Sequence, residues 1–165
     1  MEHEINIPTS ATKSETYDLL LKQVDILIEN EDNLIANLAN TTSVLKHSLN
    51  NVIWAGYYLF DDKKNELVLG PFQGKLACTR INFGKGVCGT AIETKESIVV
   101  DDVEKFPGHI YCDSNSRSEI VIPIIVDGSI RGVLDIDSDI PGNFDETDKQ
   151  YLEQIVDKIK HLFLA

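Results

Sequence analysis

Two apolar runs, residues 120–126 and 130–136, flank Asp127-Gly128. Asp-Gly between such runs is the strongest short signal for a two-residue hairpin, whose central residues both take positive φ. The pair commits the second half of the chain to antiparallel strands. Residues 52–60 are rich in β-branched and aromatic side chains and predict another strand. Asp61-Asp62-Lys63-Lys64-Asn65 is a polar turn, and residues 66–69 return as the partner strand. Residues 71–77 read as a loop, residues 78–81 and 97–100 as short strands, and residues 86–93 as a turn feeding a short helix.

Longer helical spacing occurs only toward the two ends. Thr12-Lys13-Ser14-Glu15 fits a capping box, and Tyr17, Leu20, Leu21, Val24 and Ile28 follow at helical intervals. Asn30-Glu31-Asp32-Asn33 breaks the run. Leu34, Ile35, Leu38, Ala39, Thr42 and Leu45 make a second amphipathic helix. Asp145 can cap a terminal helix carrying Tyr151, Leu152, Ile155, Val156, Ile159, Leu162 and Phe163. Residues 1–11 read as a flexible leader. Hairpin-joined strands with helices at both ends predict an α+β fold, with the helices over one face of a mostly antiparallel sheet. Residues 101–118 form a long polar loop, and loops beyond about 12–15 residues are usually functional or disordered.

The chain has 165 residues, which predicts one domain with a real core and no need of disulfide staples. A formal net charge of −12 argues against nucleic acid as a partner. No stretch is apolar enough to predict a membrane span. Met1-Glu2-His3-Glu4 lacks the marks of a secretory signal, and an odd cysteine count then points to the reducing cytoplasm.

Asp135 and Asp137 share one strand face with Val133, while Leu134 and Ile136 face a core. Regular pairing outward from the Asp127-Gly128 turn sets Ile120 opposite Asp135 and leaves Glu119 on the wrong face. Pro123 cannot donate to the ladder, so a bulge near it is predicted, returning Glu119 to the aspartates. The acids read either as a site or as solvated positions on an exposed strand. Trp54 and Tyr58 also share a face. A half-exposed face with Trp, Tyr and acids resembles a pocket floor, although both rings could be simple packing.

The three cysteines all lie in Gly- or Pro-containing segments. Cys112, in the long loop near His109, Asp113 and Arg117, has the surroundings of a reactive thiol. Cys88, at a helix start, reads either as a stabilised thiolate or as a small buried hydrophobe. Cys78 could be core. Thiols with convergent carboxyl groups suggest redox chemistry on a small polar substrate. No Cys-x-x-Cys pair occurs among Cys78, Cys88, Cys112 and His109, so no metal is expected. Gly84-Lys85-Gly86 lacks the rest of a phosphate loop.

Five blocks carry a resemblance: Trp54-Ala55-Gly56-Tyr57-Tyr58-Leu59, Leu69-Gly70-Pro71-Phe72-Gln73-Gly74, Gly86-Val87-Cys88-Gly89-Thr90-Ala91, Gly108-His109-Ile110 with Cys112-Asp113, and Gly132-Val133-Leu134-Asp135-Ile136-Asp137-Ser138. In order and spacing, across residues 51–148, the chain resembles the free methionine-(R)-sulfoxide reductases, which are GAF proteins. A sensor GAF domain would share the fold but not the three cysteines. Tyr111 departs from the smaller residue expected beside the reactive thiol.

The resemblance implies a GAF-like fold, with a central six-stranded antiparallel sheet, in a single GAF domain over residues 1–165 with 101–118 as the active-site loop. It implies reduction of free methionine-(R)-sulfoxide to methionine as part of oxidative-stress defence. Cys112 would attack sulfur, Asp137 or Asp135 would protonate the oxygen, and Cys78 would resolve Cys112 as a disulfide. Cys88 would be the auxiliary or alternative partner, and Glu119, Trp54 and Tyr58 would bind substrate. No bound cofactor is implied; reducing equivalents would come from thioredoxin and NADPH. The protein would be a cytoplasmic homodimer. The alternative is a non-catalytic GAF module that binds a small ligand or senses redox state.

Overall fold

The first helix starts where its capping chemistry predicts. In the computed structural model, which describes residues 6–110 and 114–164, Thr12 accepts from the Glu15 backbone N–H at 3.3 Å. The Glu15 carboxylate takes the Thr12 N–H at 2.8 Å. This box opens α1 (Lys13–Glu29), and Asn33 caps α2 (Leu34–Ser48) through a 3.0 Å bond from Ala36 N–H. Strands β1 (Val52–Asp61), β2 (Glu66–Gln73) and β3 (Arg80–Asn82) follow, then α3 (Gly86–Thr94) and β4 (Ile98–Val100). The chain closes with β5 (Ser118–Val126), β6 (Ser129–Ser138) and α4 (Glu146–Ile159), the last opened by an Asp145–Asp148 capping box.

The strands form one antiparallel six-stranded sheet in the order β3-β2-β1-β6-β5-β4. Period-2 alternation divides its side chains between two apolar layers. Ala55, Tyr57, Ile120, Ile122, Leu134 and Ile136 meet α1, α2 and α4. Trp54, Tyr58, Val121 and Val133 meet Val87, Cys88, Ala91 and Ile92 of α3. The α+β class and the helices on one face agree with the sequence; α3 and the segment around Val103 and Phe106 pack on the opposite face. Tyr17 O–H donates to Asp148 at 2.8 Å and Lys13 pairs with Asp148 at 2.6 Å, which ties α1 to α4. Ile7, within the expected leader, packs against the first layer.

Three details differ from the sequence reading. First, β2 continues to Gln73 where a loop over 71–77 is predicted. Phe72 pairs with Gly56 and Gln73 with Ala55, and a register shift beside Pro71 absorbs the missing donor. Second, β3 begins at Arg80, so Cys78 falls in the connection before it. Third, the β5–β6 bulge is displaced from Pro123. Ile125 pairs with Ile130 but Ile124 pairs with Gly132, so the extra residue is Arg131, on β6. Beside Pro123 itself the strand loses a neighbour, because β4 pairs no further along β5 than Val121. The missing N–H at Pro123 is therefore tolerated without a bulge there.

The 101–118 segment is pinned at both ends rather than open throughout. It holds a 3-10 turn at Val103–Lys105, and Val103 is fully buried. Val103 N–H donates to Arg117 O at 2.9 Å, and Arg117 N–H to Ser138 O at 2.7 Å.

Candidate functional site

The Arg131 bulge decides the site. One extra residue on β6 places Glu119 directly opposite Asp137, with Val121 opposite Asp135. Glu119, Asp135 and Asp137 therefore share the α3 face, which is the outcome the sequence predicts from a bulge placed elsewhere. Cys88, in the first turn of α3, points its thiol at Glu119, with Sγ 3.9 Å from Oε1. His109 lies on the other carboxylate oxygen, with Nε2 3.4 Å from Oε2. Ser116 donates to Asp137 Oδ1 at 2.7 Å. Gly86, Cys88, His109, Ile110, Ser116 and the three acids enclose a cavity of about 30 Å³.

Burial dominates the electrostatics. Asp135 and Glu119 are each 6% exposed. Loss of solvent pushes the Asp135 carboxyl well above its ordinary range, and the charges of Asp137 and Glu119 push it further. Glu119 is raised by burial first and then by Asp137. Both carboxyls are therefore pushed toward their protonated forms, and a proton held by one relieves the repulsion on the other. Asp135 Oδ1 is buried without a hydrogen-bond partner. The Cys88 thiol is also pushed up by burial and then by Asp135 and Glu119. Of the two readings of Cys88, the small buried hydrophobe is the one the structure supports. The same burial lowers His109, against the pull of Asp137.

The structure brings together Cys88, Glu119, Asp135 and Asp137. Trp54 and Tyr58 lie on the same face and stack at 5.9 Å between centroids, but neither lines the cavity. The half-exposed floor expected there is closed: Trp54 is 3% and Tyr58 1% exposed. Phe72 stacks on Trp54 at 5.4 Å over the bare Cα of Gly56, and the indole N–H donates to Lys75 O at 3.2 Å. Cys78 is half-buried in the β2–β3 connection, outside the cavity lining, with its sulfur in a disulfide. Cys112 lies outside the described residues, as do Tyr111 and Asp113.

Sequence reasoning missed Ser116, and took His109 only as a neighbour of Cys112 and a weighed metal ligand. Neither carries a local signal, because the Val103–Arg117–Ser138 anchoring brings their segment to the acids. Cys88 Sγ and one oxygen each of Glu119 and Asp135 lie within 4.8 Å of one another, close enough for three ligands on one ion. All three groups are pushed toward their protonated forms, whereas metal ligation requires the deprotonated ones. In those forms the set can hydrogen-bond a polar ligand.

Residues 38–161 match the GAF domain family model, and the chain belongs to the GAF domain family. Within that family it is 54% identical over 148 residues to GAF domain-containing protein A of Dictyostelium discoideum, covering 90% of this chain and 92% of that protein. It is 47% identical over 148 residues to the free methionine-R-sulfoxide reductase of Escherichia coli strain K12, covering 90% and 88%. The structure of the free methionine-R-sulfoxide reductase from Neisseria meningitidis, in complex with its substrate, superposes with a TM-score of 0.94 at 45% identity, covering 99% and 96%.

Proposed function

We propose that this protein is a free methionine-(R)-sulfoxide reductase, and that residues 1–165 act as a single GAF domain. The observation that carries this reading is the likeness, over 99% of the chain, to a reductase solved with its substrate. The acid-lined cavity supplies the chemistry. In the proposed cycle the Cys112 thiolate attacks the sulfoxide sulfur. A carboxyl group, Asp135 or Asp137, gives its proton to the sulfoxide oxygen. Sulfur is reduced to the thioether, and the oxygen leaves on Cys112 as a sulfenic acid. Cys78 condenses with it, releasing water and forming the Cys78–Cys112 disulfide. Cys78 in a disulfide and Cys88 as a free thiol are consistent with that pairing. A thioredoxin-type dithiol, recharged by NADPH, then reduces the disulfide by exchange.

Glu119 receives the substrate ammonium as a charge-assisted hydrogen bond. Trp54, backed by Tyr58, forms the apolar wall for the S-methyl end once the pocket opens. Opening is required, because about 30 Å³ holds one or two waters but no amino acid. Cys88 steadies Glu119 as an auxiliary group. The protein works in the cytoplasm, as a homodimer.

Thioredoxin-coupled NADPH oxidation with the R and S epimers of free methionine sulfoxide tests the reading. Turnover of the R epimer alone is expected. Turnover of neither epimer, with NADPH consumed only when peroxide is added, would replace the enzyme with a thiol redox switch.

A further inference from the structure

Each oxygen of Glu119 has a protein neighbour. Oε1 faces the Cys88 thiol at 3.9 Å and Oε2 faces His109 Nε2 at 3.4 Å. With about 30 Å³ of space beside them, an ammonium group cannot reach Glu119 without moving one of these neighbours. Cys88 cannot yield, since it is 3% exposed and packed with Val87, Ala91 and Ile92. His109 can. It stands on a connecting segment rather than in a helix or strand, and its backbone N–H makes one 3.2 Å bond to Phe106 O. Its ring is buried, 7% exposed, against a carboxylate 8% exposed. Ile110 beside it seats its side chain on the bare Cα of Gly86. His109 and Ile110 thus fill space that a ligand needs.

Acidic side chains surround the ring. Glu119 of β5 and Asp135 and Asp137 of β6 line the same cavity, with Cys88 and Lys85 from the α3 side. Lys85 is the single formal positive charge among these neighbours, and it is exposed. Two of the cavity's acids, Glu119 by contact and Asp137 by its charge, act directly on the imidazole.

We infer that His109 is a specificity-determining residue: its imidazole holds the ammonium position on Glu119 and yields it to ligands that carry an ammonium group. This rests on the proposed role of Glu119 as ammonium receiver. A ligand without that group cannot replace the contact that it breaks, so the pocket favours the free amino acid over N-blocked or deaminated analogues. A self-occupied site binds its ligand more weakly by the fraction of time it stands open.

The test is binding without turnover, using L-methionine, the product, and its deaminated analogue 4-(methylthio)butanoate. His109→Ala should tighten methionine binding about fivefold, by removing the internal competitor, while leaving the deaminated analogue within about twofold. In the unaltered protein, methionine should shift the His109 ring signals in nitrogen NMR, and the deaminated analogue should not. Equal effects of His109→Ala on both ligands, or weakened methionine binding, would overturn the placeholder alone. So would ring signals that methionine does not move, a readout independent of whether the variant folds. Failure of the unaltered protein to bind methionine at all would take the functional reading down with it.

Discussion

Cys88 and Glu119 meet sulfur to oxygen at 3.9 Å across the gap between α3 and β5. The contact explains why a cysteine in the heart of the site makes a poor nucleophile. The thiol is buried beside acids, and each of these conditions favours its neutral form. Cys88→Ala should therefore keep kcat within roughly threefold, since no thiolate is lost. KM should rise by about two- to tenfold, because Glu119 loses one of its two supports. Steady-state kinetics separate the two effects, and a hundredfold loss of kcat would make Cys88 a redox participant.

Asp135 should reveal a conflict between activity and stability. Its folded pKa is raised, so the folded chain binds that proton more tightly than the unfolded one does. The resulting stability is full below the unfolded pKa, near 4, and is lost as pH rises toward the folded value. Asp135→Asn removes that loss. We expect no gain in Tm at pH 4 and a gain at pH 8 worth about 0.5–2 kcal/mol, or roughly 2–4 °C per kcal/mol. Turnover should fall by about 10²–10⁴ where Asp135, rather than Asp137, gives the proton. A variant less stable than the parent at pH 8 would show that the Asp135 proton is not the costly one.

Asp137 acts on both of its neighbours through its charge, which adds to burial in pushing the Glu119 and Asp135 carboxyls up. Asp137→Asn removes that repulsion and lets both carboxyls ionise at lower pH. The alkaline limb of the kcat profile should move to lower pH, with the main loss in turnover rather than in binding. An unmoved limb in the pH–rate profile would remove Asp137 from the acid assembly.

Local chemistry was the legible part of this fold. The Thr12 capping box, the Asp127-Gly128 turn and the face shared by Asp135 and Asp137 each depend on residues a few positions apart. What could not be read depends on contacts between distant segments. The Arg131 bulge follows from Gly132 lying against β1, a relation that no spacing within β5 and β6 displays. The closed wall over Trp54 comes from Phe72, beyond a proline that reads as the end of a strand. Ser116 and His109 reach the acids because Val103 and Arg117 pin their segment to β6. The thiol roles came from family resemblance, since spacing alone left Cys88 open between thiolate and hydrophobe.

Cys78 and Cys112 should separate in single-turnover experiments. Cys112→Ser should abolish even the first equivalent of methionine while leaving the circular dichroism spectrum unchanged. Cys78→Ser should release one equivalent and then stall with thioredoxin, because the sulfenic acid has lost its resolving thiol. Normal steady-state rates for Cys78→Ser would refute the resolving role and pass it to Cys88, the thiol that lines the cavity.

Gly132 carries the register on which the acids depend. It pairs with Leu59 on β1 and with Ile124 on β5, directly after the extra residue Arg131. A methyl group at its Cα would run into the carbonyl oxygen of Tyr58. That oxygen belongs to the sheet backbone, so relief must come from moving β6 against β1 or from undoing the bulge. Gly132→Ala should cost about 1–3 kcal/mol, the usual range for overpacking, and lower Tm by roughly 2–4 °C for each kcal/mol. Undoing the bulge would also flip Glu119 relative to Asp135 and Asp137, because one residue of slip reverses every side chain on a strand. The variant should then lose methionine binding by more than its lost stability explains. A Gly132→Ala protein that binds methionine normally, measured well below its Tm, would show that the acids stay together without this glycine.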